Sequence, residues 1–170
     1  MKKKPKYHLP VEENTIKVPR FEESAGFYTT KQRSKTMAKI KGSNSKPELL
    51  LRKALWRENI RFRIHRRDLL GRPDIVIEKY QLAIFIDGDF WHGFDWDKRQ
   101  PKTNQQFWVP KIERNIQRDQ FVNQGLQSMG YVVMRFWEHE VKQDLAVCVN
   151  QIKLYIEAAK KGRIPENYQV

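Results

Sequence analysis

Two apolar runs that lie close together in the chain place the strongest constraint on its fold. Residues 72–77 (RPDIVI) and 82–87 (LAIFID) are rich in the β-branched and aromatic residues typical of strands. Only residues 78–81 separate them, which is the length of a short hairpin connection. The sequence therefore predicts two antiparallel strands that turn at residues 78–81.

Helical patterns lie on both sides of this hairpin. Ser45-Lys-Pro-Glu48 has the spacing of a capping box with proline in the first turn, and it predicts a helix that ends near Asn59. A second helix should begin near Pro110 and end at Gly130, where glycine favours a helix stop. Apolar residues at helical spacing indicate a final amphipathic helix: Leu145, Val149, Ile152 and Ile156.

Two further strands complete the pattern. Residues 60–64 alternate isoleucine and phenylalanine with arginine, which predicts a half-buried strand, and residues 131–137 predict another. The element order α, β, β, β, α, β, α makes an α/β fold with a mixed β-sheet flanked by helices the most economical architecture. We expect a single domain over residues 29–160, an extended or disordered basic arm over 1–28 and a C-terminal tail over 161–170.

The charge balance points to a polyanionic partner. The chain carries 33 Lys+Arg against 20 Asp+Glu, a net charge of +13, which favours nucleic acid through counterion release. Charge alone leaves ordinary solubility as an equal explanation. The lone Cys148 excludes a zinc site made of several cysteines. No apolar run approaches the roughly 18 residues of a membrane span, and the chain starts without a signal-peptide core, so we expect a soluble, cytoplasmic protein that binds no membrane.

Three aspartates lie at the ends of the predicted hairpin strands. Asp74 begins the first strand, while Asp87 and Asp89 come where the second ends. In this hairpin positions 85–87 lie opposite Asp74 or one step away, so two or three carboxylates would converge. Such a cluster is costly without a cation, and hard oxygen ligands select Mg²⁺ or Mn²⁺, which would polarise a phosphate and activate water. The alternative is that these residues are ordinary turn aspartates.

The loop after the second strand contains a histidine and aromatic residues. His92 would act as general base or general acid beside the acidic cluster, because imidazole exchanges protons near neutral pH; otherwise it is a loop histidine bonded to backbone. Phe90 and Trp91, joined by Trp108, would wedge between base pairs, where the cost of unstacking is smallest at a mismatch. They would instead close the core if they behave as aromatic residues usually do.

Polar residues recur every four positions on the second predicted helix. Lys111, Asn115 and Asp119 share one helical face, which is usually a face turned to solvent. If this face meets the carboxylates, Asp119 would orient His92, while Lys111 would contact the scissile phosphate and Asn115 the DNA. Glu48 has a local explanation in its capping box and would also support the site.

Short motifs follow one another in a fixed order over residues 29–140: Met37-Ala-Lys-Ile, Ser45-Lys-Pro-Glu-Leu-Leu50, Arg61-Phe-Arg-Ile-His65, Gly71-Arg-Pro-Asp74, Ile84-Phe-Ile-Asp-Gly88, Phe90-Trp-His-Gly93, Phe107-Trp108, Lys111-Ile, Arg114-Asn115, Arg118-Asp119 and Phe136-Trp-Glu138. Together they resemble the very short patch repair endonuclease family. The combined pattern is far more specific than the proline-aspartate pair alone.

This resemblance implies a restriction-endonuclease-like fold and a Mg²⁺-dependent nick in the T-bearing strand of a T·G mismatch. It implies Asp74 as the central Mg²⁺ ligand, helped by the backbone carbonyl of Ile86, and His92 as the catalytic histidine oriented by Asp119. The three aromatic residues named above match the family's intercalating side chains, and the basic arm matches a segment that grips DNA. We expect a monomer that acts on double-stranded DNA with a T·G mismatch.

Two departures from the family pattern change what is expected of this chain. Many relatives have histidine where Asp87 stands, so Asp87 would bind the metal directly where an imidazole would transfer protons. The family's structural zinc is held by three cysteines and a histidine, and the corresponding positions here are Asp89, Phe94, Trp96 and His139. Because Phe and Trp do not ligate zinc, we expect no structural zinc, with an Asp89–His139 hydrogen bond and aromatic packing in its place.

Two other functions remain open from the sequence alone. A related restriction-type endonuclease would cut both strands of fully paired DNA at a short site. A non-catalytic DNA-binding module would keep the fold and the charge, bind DNA in a salt-sensitive way and ignore Mg²⁺.

Overall fold

The computed structural model describes residues 15–38 and 42–162. Short 3-10 turns occur at Glu23–Ala25 and Glu78–Tyr80. The helices and strands within these ranges are α1 (Lys31–Ala38), α2 (Lys46–Arg57), β1 (Ile75–Ile77), β2 (Leu82–Asp87), α3 (Gln105–Ser128), β3 (Val132–Trp137), α4 (Glu138–Gln143) and α5 (Leu145–Lys160).

The predicted hairpin is part of a three-stranded mixed sheet with the order β1-β2-β3. β1 and β2 are antiparallel, with Ile75 opposite Ile84, and Gln81 closes the turn between them in the left-handed region at φ 47°. β3 lies parallel to β2, with Met134 beside Ile84, because α3 returns the chain to the same end of the sheet. The hairpin prediction is confirmed.

Helices cover both faces of this sheet because both faces are apolar. One face packs against α2 and α5, where Ile84 meets a cluster that includes Leu55 and Ile152. The opposite face packs against α3, where Ala83 lies in a second cluster with Leu126. The chain thus forms a small α/β domain in three layers, which confirms the predicted mixed sheet flanked by helices.

The strand predicted over residues 60–64 is reduced to a single bridge. Arg63 and Val76 exchange both of their backbone hydrogen bonds at 2.8 Å. The chain turns away at His65, which adopts φ 53°, and Ile64 remains 43% exposed. The prediction of a full strand is wrong because this left-handed residue ends the ladder.

Helix α3 begins earlier than predicted. It starts at Gln105 rather than near Pro110, so the proline lies in its second turn. Proline there removes only the N–H that would bond the carbonyl of Gln106, and the helix continues to Ser128, next to the predicted stop at Gly130. Helices α1 and α4 were not predicted: α1 buries no residue, and α4 has only 6 residues, so neither has a clear apolar stripe.

The N-terminal segment, residues 15–28, lies against α3. Residues 15–22 form neither helix nor strand, while Phe27 is 6% exposed and packs on Phe107. Residues 1–14 of the predicted arm, residues 39–41 and the tail from residue 163 lie outside the described residues. The domain boundaries therefore stay a prediction. In the part of the chain that the structure describes, no helix is long and apolar enough to cross a membrane.

Replacing Leu126 with alanine tests the second core cluster. Leu126 is fully buried between α3 and the sheet, so Leu126→Ala should lower the free energy of unfolding by about 2–5 kcal/mol. The matched control is Leu154→Ala on α5, where the leucine is 58% exposed and the loss should stay within about 0.5 kcal/mol. Urea denaturation measures both; equal losses would contradict the assigned packing.

Candidate active site

A cleft of about 1020 Å³ opens where β2 ends, beside the turn that leads into β1. Asp74, Asp87 and His92 line it together, as do Glu48 and Trp91, so the structure brings these predicted site residues to one place. Apolar groups of Pro47, Phe85 and Ile86 form part of its wall. The other side chains that line it are polar or charged: Ser43, Ser45, His65, Arg67, Arg72, Arg118 and Glu138.

The carboxylate of Asp74 is fixed by the neighbouring strand. Because Ile75 pairs with Ile84, Asp74 falls beside Phe85, and the backbone N–H of the next residue, Ile86, donates to Oδ2 of Asp74 at 2.8 Å. Among the described residues none donates a hydrogen bond to the other oxygen, Oδ1. That oxygen is therefore available to a ligand in the cleft.

The pKa of Asp74 is raised to about 6, chiefly because burial penalises its charged form. The carboxylates of Glu48 and Asp87 raise it further, while the Ile86 N–H and the guanidinium of Arg52 lower it. These favourable contacts do not offset the loss of water and the nearby negative charge. The positive charge of Arg52 is thus too little to balance these effects, and a bound cation would supply more.

Glu48 supports Asp74 through an arginine. Its Oε1 accepts from the backbone N–H and the hydroxyl of Ser45, which closes the predicted capping box. Its Oε2 accepts from Nη2 of Arg52 at 2.7 Å, and the same nitrogen donates to the backbone carbonyl of Asp74 at 3.1 Å. Both carboxylate oxygens of Glu48 are engaged, so its contribution is to hold Arg52 against the Asp74 backbone.

Asp87 lines the cleft and pairs with an arginine. Its Oδ2 and Oδ1 accept from Nε and Nη2 of Arg135 at 2.6 and 2.9 Å, and the residue is only 5% exposed. Arg135 reaches it because β3 lies parallel to β2, with Arg135 beside Phe85. This guanidinium balances the charge of Asp87, and direct metal binding by Asp87 stays a prediction.

His92 and Asp119 form the pair that was expected of them. Nδ1 of His92 lies 2.5 Å from Oδ2 of Asp119. Burial acts to raise the pKa of Asp119, but the hydrogen bond from His92 and the charge of Arg135 outweigh it and hold that pKa below its usual value. Asp119 is therefore ionised and accepts a hydrogen bond from the N–H at Nδ1 of His92. Nε2 of His92 is left for other partners.

Arg135 joins these groups into one network. Besides its two bonds to Asp87, its Nη2 lies 3.0 Å from Oδ1 of Asp119, and its Nη1 donates to Asn123 at 2.9 Å. Nδ1 of His92 also lies 3.5 Å from Asp87. Two carboxylates thus share one guanidinium and one imidazole. With a neutral His92, the two carboxylates and the single guanidinium leave one excess negative charge. An imidazolium at His92 would balance that charge.

Asn115 has a structural role that the sequence did not predict. Its amide donates to the backbone carbonyl of Trp91 at 2.8 Å, and the residue is only 8% exposed. This hydrogen bond fixes the loop that carries Trp91 and His92, and the DNA contact of Asn115 stays a prediction. Lys111 lies one turn earlier on α3 and is half-buried, and its contact with a phosphate stays a prediction.

Three predicted wedge residues pack on one another at the edge of the cleft and are called the aromatic cluster below. Phe90 lies 5.3 Å from Trp91 and 5.2 Å from Trp108, and the two tryptophans are 5.8 Å apart, all with edge-to-face rings. Phe90 is 44% exposed. The three rings therefore pack on one another, while the ring of Phe90 stays open to solvent.

The positions that correspond to the family's zinc ligands form a different kind of cluster. Nδ1 of His139 lies 2.7 Å from Oδ1 of Asp89, which confirms the expected hydrogen bond. The ring of Phe94 lies 4.4 Å from His139 and 5.1 Å from Trp137. Aromatic packing and one hydrogen bond join the loop to the start of α4. That the protein binds no structural zinc stays a prediction.

Comparison with known proteins decides the family of this chain. Residues 25–98 match the family model described as DNA mismatch endonuclease Vsr. The type II nicking enzyme V.NmeDIP of Neisseria meningitidis serogroup C is 42% identical over 127 residues, which cover 74% of this chain and 86% of that enzyme. The chain belongs to the Vsr family. It is a DNA endonuclease, and the resemblance found in its motifs is confirmed.

Other Vsr relatives agree with this assignment. The type II nicking enzyme V.HpaIIP of Haemophilus parainfluenzae is 49% identical over 116 residues, covering 66% of this chain and 82% of that enzyme. DNA mismatch endonuclease Vsr of Escherichia coli (strain K12) is 36% identical over 107 residues, covering 62% of this chain and 69% of that protein. The similarity thus extends over most of each relative.

The donor set of this Vsr-family site suits one divalent ion held in part by substrate. Over residues 15–38 and 42–162, no group of three or more His, Cys, Asp or Glu side chains is arranged to hold a metal. Oδ1 of Asp74 is a carboxylate oxygen in the cleft with no hydrogen-bond donor among the described residues, and the backbone of Ile86 lies beside it. Mg²⁺ is commonly bound by one or two carboxylates together with water and substrate phosphate, so this sparse set fits it.

Two arginines that complete the site were missed from the sequence. Arg135 is flanked by Met134 and Phe136 in a strand whose burial alternates, and a charge inside such a strand signals a buried partner. Arg52 falls one helical turn after Glu48, a spacing that predicts an ion pair. The signals were present, but the partner of Arg135 depends on which strands pair.

A titration of stability tests the burial of Asp74. The folded protein holds a proton on Asp74 up to a pKa of about 6, whereas the unfolded chain releases it near its ordinary value of about 3.9, so stability should fall as pH rises between these values. With metal chelated, Asp74→Asn should therefore be more stable than wild type by about 3 kcal/mol at pH 8, and should gain little at pH 4. Exposed Asp144→Asn is the control, without this pH dependence. A wild type more stable than Asp74→Asn at pH 8 would refute the assignment.

A pair of variants tests the Asp87–Arg135 contact. Arg135→Met leaves the Asp87 carboxylate buried without a partner and should cost about 3–5 kcal/mol in urea denaturation. Adding Asp87→Leu to that variant should recover most of the loss, because the unpaired charge is removed. Losses that simply add would show that the two side chains are independent.

Proposed function

We propose that this Vsr-family endonuclease is a Mg²⁺-dependent enzyme that nicks the T-bearing strand at a T·G mismatch. The observation that carries the proposal is the shared cleft: Asp74, with its unpartnered oxygen, and His92, which is paired with Asp119, line one space together with several arginines. A restriction-endonuclease-like fold, which is part of the same proposal, agrees with the three-layer arrangement around a mixed sheet.

His92 handles the proton in this mechanism. Its Nδ1–H donates to ionised Asp119, which fixes the ring and leaves Nε2 on the neutral imidazole as an acceptor. Nε2 can then take a proton from the attacking water or, in the protonated ring, give one to the leaving oxygen. The excess negative charge that Asp87 and Asp119 place beside Arg135 stabilises the imidazolium formed in the first case.

Asp74 supplies the metal-binding oxygen in this proposal. Its free Oδ1 and the backbone carbonyl of Ile86 would hold Mg²⁺, which neutralises charge on the phosphate and activates water. The hydrogen bond from the Ile86 N–H keeps the carboxylate in one orientation. Burial keeps this oxygen out of water and thereby raises the pKa of Asp74, and a bound ion would lower that pKa.

The basic wall of the cleft fits the DNA backbone. Arg67, Arg72 and Arg118 line the same cleft as Asp74 and His92. The side chain of Arg118 is 46% exposed and lies 3.9 Å from Asp119, so it remains able to contact a phosphate. With a net charge of +13, binding should weaken steeply with salt.

The aromatic cluster fits a mismatch. Its exposed edge at Phe90 stands beside the cleft, where a wedge would unstack the base pair next to the cut. Unstacking costs a few kcal/mol and least at a mismatch, so the cluster would favour mismatched over paired duplex. The Escherichia coli relative is named a DNA mismatch endonuclease, which supports the same substrate.

Labelled T·G and T·A duplexes of one sequence test the proposal. With Mg²⁺, wild type should nick only the T-bearing strand of the T·G duplex, and chelation should abolish the nick. Asp74→Asn and His92→Ala should each slow it at least about a hundredfold while binding persists. Asp144→Asn, an exposed aspartate at the start of α5, is the matched control and should act as wild type.

Other outcomes would assign another function. Cleavage of both strands in the T·A duplex would indicate a restriction-type enzyme. Salt-sensitive binding with no cleavage under any divalent ion would indicate a binding module. Undiminished nicking by Asp74→Asn would place the metal elsewhere.

A further inference from the structure

The N-terminal segment, residues 15–28, is tied to α3 at both of its ends. The backbone N–H of Ile16 donates to Oε1 of Gln117 at 3.3 Å, across 101 positions of sequence. At the other end, the side-chain amide of Asn104 donates to the backbone carbonyl of Tyr28 at 3.0 Å, across 76 positions. The segment therefore runs alongside the first half of α3.

Between these two bonds the segment contributes two rings to an aromatic stack. Phe21 lies 5.6 Å from Phe27 in a stacked arrangement and 4.8 Å from Phe107 edge-to-face. Phe27, which is 6% exposed, lies 5.5 Å from Phe107. Gly26 makes this possible by turning the chain at φ 78°, with its N–H bonded to the carbonyl of Glu23.

This stack continues directly into the aromatic cluster. Phe107 lies 4.9 Å from Trp108, and Phe21 lies 6.5 Å from the same indole. Trp108 in turn contacts Phe90 and Trp91. Trp108 thus contacts both the N-terminal segment, through Phe21, and the two rings of the loop after β2. Most of the segment precedes residue 25, where the match to the Vsr family model begins.

We propose that Phe21 and Phe27 form a brace that positions Trp108, and through it the whole aromatic cluster, for insertion beside a mismatch. The inference rests on the proposed function, because it assigns a support to the wedge of that function. A wedge that is fixed before DNA arrives loses less conformational freedom on binding, so the brace raises affinity for mismatched duplex. Phe21 is accordingly a positioning residue for mismatch specificity.

The alternative role of the segment is electrostatic. Lys17 and Arg20 are exposed on it, and basic side chains of this kind contact any phosphate backbone. An electrostatic grip would strengthen binding to T·G and T·A duplexes alike. A brace acts only where the wedge enters the stack, so the two roles predict different ratios of affinity.

The test measures binding of Phe21→Ala to matched T·G and T·A duplexes, with Ca²⁺ in place of Mg²⁺ to prevent cleavage. We expect affinity for the T·G duplex to fall about three- to tenfold, the size of one or two aromatic contacts, with little change for the T·A duplex. Phe21→Leu, which keeps the apolar bulk, should lose less. Lys17→Ala is the control and should weaken both duplexes by the same factor.

A second measurement, made without DNA, tests whether Phe21 contacts Trp108. In protein labelled with 5-fluorotryptophan, Phe21→Ala should shift the fluorine signal of Trp108, assigned by Trp108→Phe, and leave that of Trp56, on α2, in place. An unmoved Trp108 signal, or an equal loss on both duplexes, would overturn the brace. Wild type that does not distinguish the duplexes, with a Trp108 signal that does shift, would instead refute the mismatch function and leave the contact standing.

Discussion

A buried ion pair across two parallel strands is the interaction on which the site depends. Asp87 ends β2 and Arg135 lies on β3, and their two hydrogen bonds at 2.6 and 2.9 Å fix the spacing of the strands where the cleft begins. Because buried charges are stable only when paired, the pair also fixes what surrounds it. Arg135 extends to Asp119, and Asp119 orients His92, so one guanidinium sets the position of the imidazole at the cleft.

Two aspartates near the same end of the sheet therefore have opposite environments. Both oxygens of Asp87 accept hydrogen bonds from Arg135, whereas Asp74 is buried beside other carboxylates and its Oδ1 has no hydrogen-bond donor among the described residues. In the proposed mechanism this difference makes Asp74 the residue that binds the metal. The guanidinium of Arg135 balances the charge of Asp87. His92 is left as the group in the cleft that transfers protons in the proposed mechanism.

The sequence predicted what depends on local geometry. A four-residue turn sets the register that brings Asp74 to the end of β2, and helical spacing places Asp119 on the face that meets His92. It did not predict the partner of Asp87, because that partner depends on β3 lying parallel to β2 after a crossover of more than forty residues. The same limit applies to Asn115, whose spacing fits a DNA contact but does not show that its amide donates to the backbone carbonyl of Trp91. Periodicity shows which face of a helix is polar and not what that face meets.

In the proposed mechanism a divalent ion held by Asp74 contacts the phosphate that is cut. A T·G duplex with sulfur in place of one non-bridging oxygen at the scissile phosphate tests this contact under single-turnover conditions. We expect that one of the two diastereomers is nicked slowly in Mg²⁺ and that Mn²⁺, which tolerates sulfur better, restores its rate. Equal rates for both diastereomers in Mg²⁺, or a slow diastereomer that Mn²⁺ does not restore, would contradict direct contact between the ion and the phosphate.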